Sequence, residues 1–178
     1  MVYLLPFFKP GFMDLHSGED VRKGALGSVY AVQDFFQIDP ELVSPLAEVD
    51  LAAPVAQGLV RPGEVEDLAA LAGWSASEAE AALGREALVQ LVGHAELRSL
   101  TRRAHALGKK VIFDLVLMLS SRDCPLIAEH PEWYLLYENG APRIHQIAWL
   151  VYSDVALFDL VYNRPLQEYL LEIAPYWI

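Results

Sequence analysis

The sequence predicts an α/β fold, on three observations. Residues 111–117, VIFDLVL, form a nearly continuous β-branched and aliphatic run, which suits a parallel strand buried on both faces. Residues 94–107 immediately before it repeat apolar positions at Leu97, Leu100, Ala104 and Leu107, the 3- and 4-residue steps of an amphipathic helix, and Gly108 stops that helix. The whole chain reads strand, long loop with a helical insert, helix, strand, long loop, helix. That βαβα order implies parallel strands joined by a right-handed crossover. At 178 residues the chain is long enough to bury a sizeable core, and a single domain, 1–178, is expected.

Taken in order, residues 2–8 are short and apolar, end at Pro10-Gly11, and read as the first strand. Residues 11–42 read as a long loop punctuated by Gly24, Gly27 and an Asp39-Pro40 turn; loops this long inside compact domains tend to be functional. Composition then shifts: residues 43–93 are rich in Ala, Leu and Glu and read as an inserted helical hairpin. Pro62-Gly63 precedes a helix at 64–72 that Gly73 breaks, and Ser75 with Glu78 forms a capping-box pattern opening a second helix toward Val92, weakened by Gly84. The last helix is capped by Asn163 and carries Pro165 in its first turn. Its apolar face is Leu166, Tyr169, Leu170, Ile173 and Trp177, and Pro175 should kink or fray its end.

Composition excludes several classes of function. A net charge of −11 opposes nucleic acid and anionic membrane surfaces, because phosphate binding needs concentrated Lys and Arg. No apolar run approaches the roughly 20 residues that span a bilayer, and no secretory signal is visible, so a soluble cytoplasmic protein is expected. The lone Cys124 excludes an internal disulfide and reads as a small packing residue. The hydrophobic fraction, 54%, exceeds the common 45–50% or so and suits a chain whose apolar faces expect neighbours.

The residue that draws attention is Asp114, a carboxylate inside the apolar run. Burying it costs free energy unless it is paired or hydrogen-bonded, and polar residues near the C-terminal ends of such strands often serve an active site. Around it stand HPEWYL (130–135), YENGAPR (137–143), NRPLQEYLLEIAPYWI (163–178) and, earlier, VYAVQDFFQIDPEL (29–42). Together these segments, in their order, resemble the α-amylase family of glycoside hydrolases and glucanotransferases (glycoside hydrolase family 13), over residues 3–43 and 94–178. The resemblance implies a partial (β/α)8 TIM barrel with a helical insertion, in which residues 2–8 are strand two and 111–117 strand three. It also implies that the nucleophile, the general acid and the third carboxylate of the family belong to later strands, so no catalytic residue is expected in this sequence. Retaining chemistry needs two carboxylates about 5–5.5 Å apart.

The resemblance implies a sugar-binding rim instead. Tyr30 matches a tyrosine whose ring makes a platform beside the sugar, Asp34 matches a supporting acidic position, and Asp114 matches the aspartate of an Asp-x-x-x-Asn-His motif. Met118 and Leu119 replace the Asn and His of that motif, and neither supplies the oxygen ligand or N–H donor that calcium binding and sugar contact require. No cofactor is therefore expected, and both residues read as packing. Other constellations are weak. Gly24-Ala-Leu-Gly27 lacks a phosphate-loop lysine, the histidines lack metal spacing, and Ser120-Ser121 lacks a nucleophile elbow. Glu129, Glu132 and Glu138 read as a solvated face around Trp133-Tyr134, and Asp154 and Asp159 lie where they could approach the sugar.

The expected function is thus a piece of an enzyme that hydrolyses or transfers α-glucosidic bonds, inactive alone. It would bind an α-glucan or maltooligosaccharide weakly, and would self-associate through exposed strand edges and apolar faces. The rival reading is a non-catalytic carbohydrate-binding or assembly module on the same fold.

Overall fold

The structure, a computed structural model, describes residues 1–11, 30–61, 63–66 and 68–178. The expected turn residues Gly24, Gly27 and Pro62 lie outside the described residues. The fold is mixed α/β. Two compact units form, one from Met1–Phe7 with Ile38–Ile112, the other from Phe8–Gln37 with Phe113–Ile178. Among the described residues the strands make four two-stranded sheets, β1 with β4, β2 with β3, β5 with β8 and β6 with β7, and no closed barrel.

In the first unit β1 (Val2–Leu4) neighbours β4 (Val111–Phe113), with the Val2 N–H donating to the Lys110 carbonyl at 2.7 Å. Both strands are shorter than the sequence suggests. Pro6 has no N–H to give a ladder, so β1 ends at Leu4, and β4 is confined to Val111–Phe113. The expected burial on both faces is also corrected: Ile112 is 40% exposed, because β1 is the one strand neighbour of β4 among the described residues.

The segment 43–93 builds its own core. The helices α1 (Ala52–Ala56), α2 (Leu68–Gly73), α3 (Ala76–Leu83) and the first half of α4 (Arg85–Ala106) enclose Leu46, Leu51, Val60, Val65, Leu71, Ala79, Leu88, Leu91 and Val92. The capping box forms as read: the Glu78 N–H donates to Ser75 Oγ at 3.3 Å, and Glu78 Oε2 accepts the Ser75 N–H at 2.8 Å. Caps of this kind are worth about 1 kcal/mol. The expected single helix from Ser75 toward Val92 is in fact two. Gly84, at φ 82°, takes a backbone conformation that side chains resist, ending α3, and α4 starts at Arg85, well ahead of the expected 94. Of the helix expected at 64–72, the structure shows α2 at Leu68–Gly73, while Glu64 sits in a turn whose carboxylate accepts from Arg98 and from the Arg61 N–H.

The second unit is organised on β3 (Val32–Ile38), a strand inside what the sequence reads as loop. It pairs with β2 (Phe8–Pro10). Period-two alternation sends Phe35 toward Phe8 and Phe158 on one face, with ring centroids at 6.1 and 6.3 Å. Phe36 goes to the other, where it meets Tyr169 and Tyr176 of α6 (Arg164–Trp177) edge-on. Gln33, Asp34 and Gln37 dilute the apolar signal there, which is why the strand is hard to read. Burying Phe35 completely contributes about 1.5–3 kcal/mol. The Trp177 indole N–H donates to the Phe35 carbonyl at 2.8 Å and fixes the end of α6 to the strand.

Helix α6 is as read. Asn163 Oδ1 accepts the Leu166 N–H at 3.2 Å, Leu166, Leu170 and Ile173 are buried, and Tyr169 and Trp177 are half-buried. It runs through Pro175 to Trp177 without fraying. Between β4 and α6 lie β5 (Leu119–Ser121), antiparallel to β8 (Val155–Leu157), the short α5 (Leu126–Glu129), and a hairpin of β6 (His145–Ile147) and β7 (Leu150–Tyr152). No helix among the described residues is long and apolar enough to cross a membrane.

Gly93 supplies a stability test. A Cβ there would sit 2.5 Å from Ile38 Cγ2 and 2.8 Å from Val43 Cγ2, both on stiff β-branched side chains, and Ile38 is buried. Alanine gains about 1 kcal/mol of helix propensity, and overpacking costs about 1–3 kcal/mol. Gly93→Ala should therefore lower stability by about 1 kcal/mol, read as a lower urea midpoint with unchanged slope.

Candidate functional site

Two of the three residues the sequence singles out for sugar binding meet. Tyr30 directly precedes the Ala31-Val32 entry to β3, and Asp114 follows β4 by one residue. The Tyr30 hydroxyl donates to Asp114 Oδ2 at 3.1 Å, across 84 positions of sequence. This bond answers the cost of placing a carboxylate in an apolar run. The carboxylate accepts the phenolic proton and repels a phenolate, and slight burial adds to it, so Tyr30 is held above the ordinary tyrosine range.

Asp34 goes elsewhere. Its Oδ1 accepts the Phe36 N–H at 2.8 Å, and its charge is felt by Cys124 and Tyr169. It thus supports the strand and the α6 side of it rather than joining the Tyr30–Asp114 pair.

Behind Tyr30 the backbone is braced by polar contacts with no local sequence signature. The Gly11 N–H donates to the Ala31 carbonyl at 2.9 Å, and Gln33 Nε2 donates to Asp123 Oδ2 at 3.0 Å, 90 residues away. Only β5 and the turn after it, carrying Asp123 back beside β3, make the second bond possible. Ala31, Leu119 and Val155 pack together with Tyr30 and Val116 partly buried against them, so the Tyr30 ring is seated on an apolar base.

Leu119 packs as expected, 6% exposed within that cluster, whereas Met118 does not: it is 46% exposed. Leu119 begins β5, all of whose residues are buried, whereas Met118 lies in the bend before it, with its carbonyl accepting the Phe158 N–H at 3.1 Å. Cys124 is buried, and burial pushes its thiol up, which keeps it a neutral packing group. Tyr134, read as packing, also carries a polar role: its hydroxyl lies 2.9 Å from Ser120 Oγ, and burial pushes it up as well. Glu129, Glu132 and Glu138 are exposed as expected, and Trp133 stacks on His130 with centroids 3.9 Å apart. Asp154 is buried, and Asp159 Oδ1 accepts the Val161 N–H at 3.4 Å.

No protein-family model and no curated protein matches the chain. Solved structures do. A noncanonic maltogenic α-amylase from Thermotoga neapolitana is similar with a TM-score of 0.55 and 25% identity, over 99% of this chain and 27% of that one. An α-amylase from Lactobacillus plantarum is similar with a TM-score of 0.57 and 25% identity, over 98% of this chain and 27% of its own. The chain spans about a quarter of the length of these structures.

The Tyr30–Asp114 bond can be tested by titration. Tyr30 should ionise above the ordinary pKa of about 10, and Asp114→Asn should bring it back toward that value, because the amide carries no charge to oppose the phenolate. Tyrosine-resolved NMR across alkaline pH reads both; an unchanged Tyr30 titration in the variant would show that the carboxylate does not hold it.

Proposed function

We propose that the chain is a segment of an α-amylase-type (β/α)8 barrel carrying the second and third strand units and a helical insertion at 43–93. In this reading Tyr30 and Asp114 contribute to the sugar-binding rim of an enzyme that hydrolyses or transfers α-glucosidic bonds. The observation that carries it is the 3.1 Å bond between two residues selected from distant segments of sequence. The likeness to two amylases at 25% identity supports it.

The chemistry follows from the pair. A pyranose presents apolar C–H faces that an aromatic ring can cover, and the ring edge plus a carboxylate can orient hydroxyl groups. Asp114 fixes the Tyr30 ring by accepting its hydroxyl, so less rotamer entropy is lost when sugar arrives. One carboxylate at the rim cannot perform retaining hydrolysis, which needs a nucleophile and an acid, and Asp34 is committed to the Phe36 N–H. A calcium ion of the family kind does not fit beside Asp114 here. Leu119 is buried against Ala31 and Val155, and the Met118 thioether is no ligand for a hard cation.

Binding without turnover is the expected result. Maltooligosaccharides should bind at about millimolar Kd, near 4 kcal/mol, and Tyr30→Ala should weaken binding at least several-fold. NMR titration decides: identical shift changes in wild type and Tyr30→Ala would remove the ring from the site. Assays with natural and activated α-glucosides should show no turnover, and an activity that copurifies through further steps and disappears in Asp114→Asn would overturn the non-catalytic reading.

A second reading, association between chains, is favoured by one surface. Tyr3, Leu5 and Ile112 on and beside the β1–β4 pair are 55, 58 and 40% exposed. Exposed apolar side chains grouped in this way invite face pairing with another chain. Light scattering should show a dimer or larger species at moderate salt, where screening within about 10 Å removes the long-range repulsion of a −11 chain. Tyr3→Lys should shift the population to monomer; a monomer in the wild type at high concentration would exclude this reading.

A further inference from the structure

Helix α4 grips the segment between α1 and α2 through one stripe of side chains. His94, Arg98 and Arg102 recur every four residues, so they line a single face of the helix. Arg102 donates to the carbonyls of Gln57 and Gly58, at 2.5 and 2.9 Å. Arg98 donates to the Leu59 carbonyl and, through both terminal nitrogens, to the Glu64 carboxylate. Glu64 Oε2 also accepts the Arg61 N–H, and Glu64 Oε1 lies 3.6 Å from His94 Nδ1. Three successive carbonyls past the end of α1 are thus held by two guanidinium groups. The cluster is largely removed from water, with the His94, Arg98 and Glu64 side chains 11, 19 and 21% exposed.

Charge at the centre of this grip is unevenly balanced. The charged groups facing His94 among the described residues are Glu64 and Arg61 from the gripped segment and Arg98 from its own helix. Burial first, and then Arg98, hold the imidazole below its ordinary range, against the attraction of Glu64. For Glu64, burial is the largest influence and would raise it. The Arg98 and Arg61 hydrogen bonds and the nearby positive charge together outweigh burial and hold it below the carboxylate range.

We propose that this cluster is an acid-released latch, in which protonation of His94 beside Arg98 loosens the hold of α4 on residues 57–61 and frees that segment from the helix. An imidazolium there places a second positive charge against the guanidinium in a site poor in water. Opening lets it hydrate. Because the closed form binds the His94 proton less readily than the open form, the latch is fully closed above about pH 6.5 and weakens as pH falls toward the closed-state value. Glu64 acts in the same direction but only below about pH 4.5, so the two steps are separable. The proposal is independent of the amylase reading, since it uses no residue of the Tyr30–Asp114 pair.

Hydrogen exchange of the residue 57–61 amides, corrected for intrinsic rates, tests the latch in the full chain. One linked proton permits up to about a tenfold rise in the opening constant per pH unit. Protection of these amides should therefore fall several-fold, and by no more than about tenfold, between pH 7 and 5.5. The α6 amides should show no such change. In His94→Gln, which cannot gain a proton, the fall should vanish. Equal protection at both pH values in wild type, or the same fall in His94→Gln, overturns the proposal. If His94→Gln does not fold, histidine-resolved NMR of the wild type decides: the midpoint of His94 titration must coincide with that of amide opening, and a different midpoint overturns it.

Discussion

The second unit depends on the two-residue period of β3. Neighbouring Phe35 and Phe36 must point to opposite faces, so one seven-residue strand nucleates ring packing on both sides at once. Phe35 meets Phe8 and Phe158, while Phe36 meets Tyr169 and Tyr176. The Trp177 indole, fixed on the Phe35 carbonyl, closes the arrangement by tying α6 to the strand backbone. Ala31 and Val32 are both buried, and Tyr30 stands at the strand entrance, where its ring is half-buried against Ala31, Leu119 and Val155 and its hydroxyl reaches Asp114. A one-residue slip would exchange the two faces and lose every one of these contacts.

In the first unit the corresponding part is α4, 22 residues long. Leu88, Leu91, Val92 and Ala95 seat one side of its N-terminal half in the core built by the 43–93 segment. Gly93 lets residues Ile38 and Val43 approach the helix backbone where any side chain would intrude. The basic stripe then does for the irregular segment after α1 what a ladder does for a strand, supplying donors to carbonyls that have no helical partner. This gives the insertion a reason to be ordered beyond apolar burial. It also accounts for an arginine-bearing helix in a chain with a net charge of −11.

The proposed rim and the electrostatics agree on the kind of ligand. A strongly acidic chain repels phosphate-bearing partners, and the rim it offers is a tyrosine ring over an apolar base with one carboxylate at its edge. Such a rim suits a neutral polyhydroxyl ligand. After Asp114, the exposed Met118 and the packed Leu119 offer no polar side-chain contact, so in the proposed rim recognition would fall to the Tyr30 ring.

By itself the sequence determined those features whose cause is local. The Ser75–Glu78 capping box, the Asn163 cap, the Gly108 stop after α4 and the apolar face of α6 all rest on interactions within four residues, and all are present. It also marked Asp114, a carboxylate inside an apolar run, while Tyr30 was marked by the family resemblance. Tertiary structure decided what depends on partners far along the chain. It made a strand of residues 32–38 through pairing with β2, confined β4 to Val111–Phe113, and turned Asp34 away from Asp114. It also joined Gln33 to Asp123 and Glu64 to Arg98. Those contacts span 34 to 90 residues, and no local preference encodes them, because a hydrogen bond between distant groups forms only after the backbone has already brought the two together.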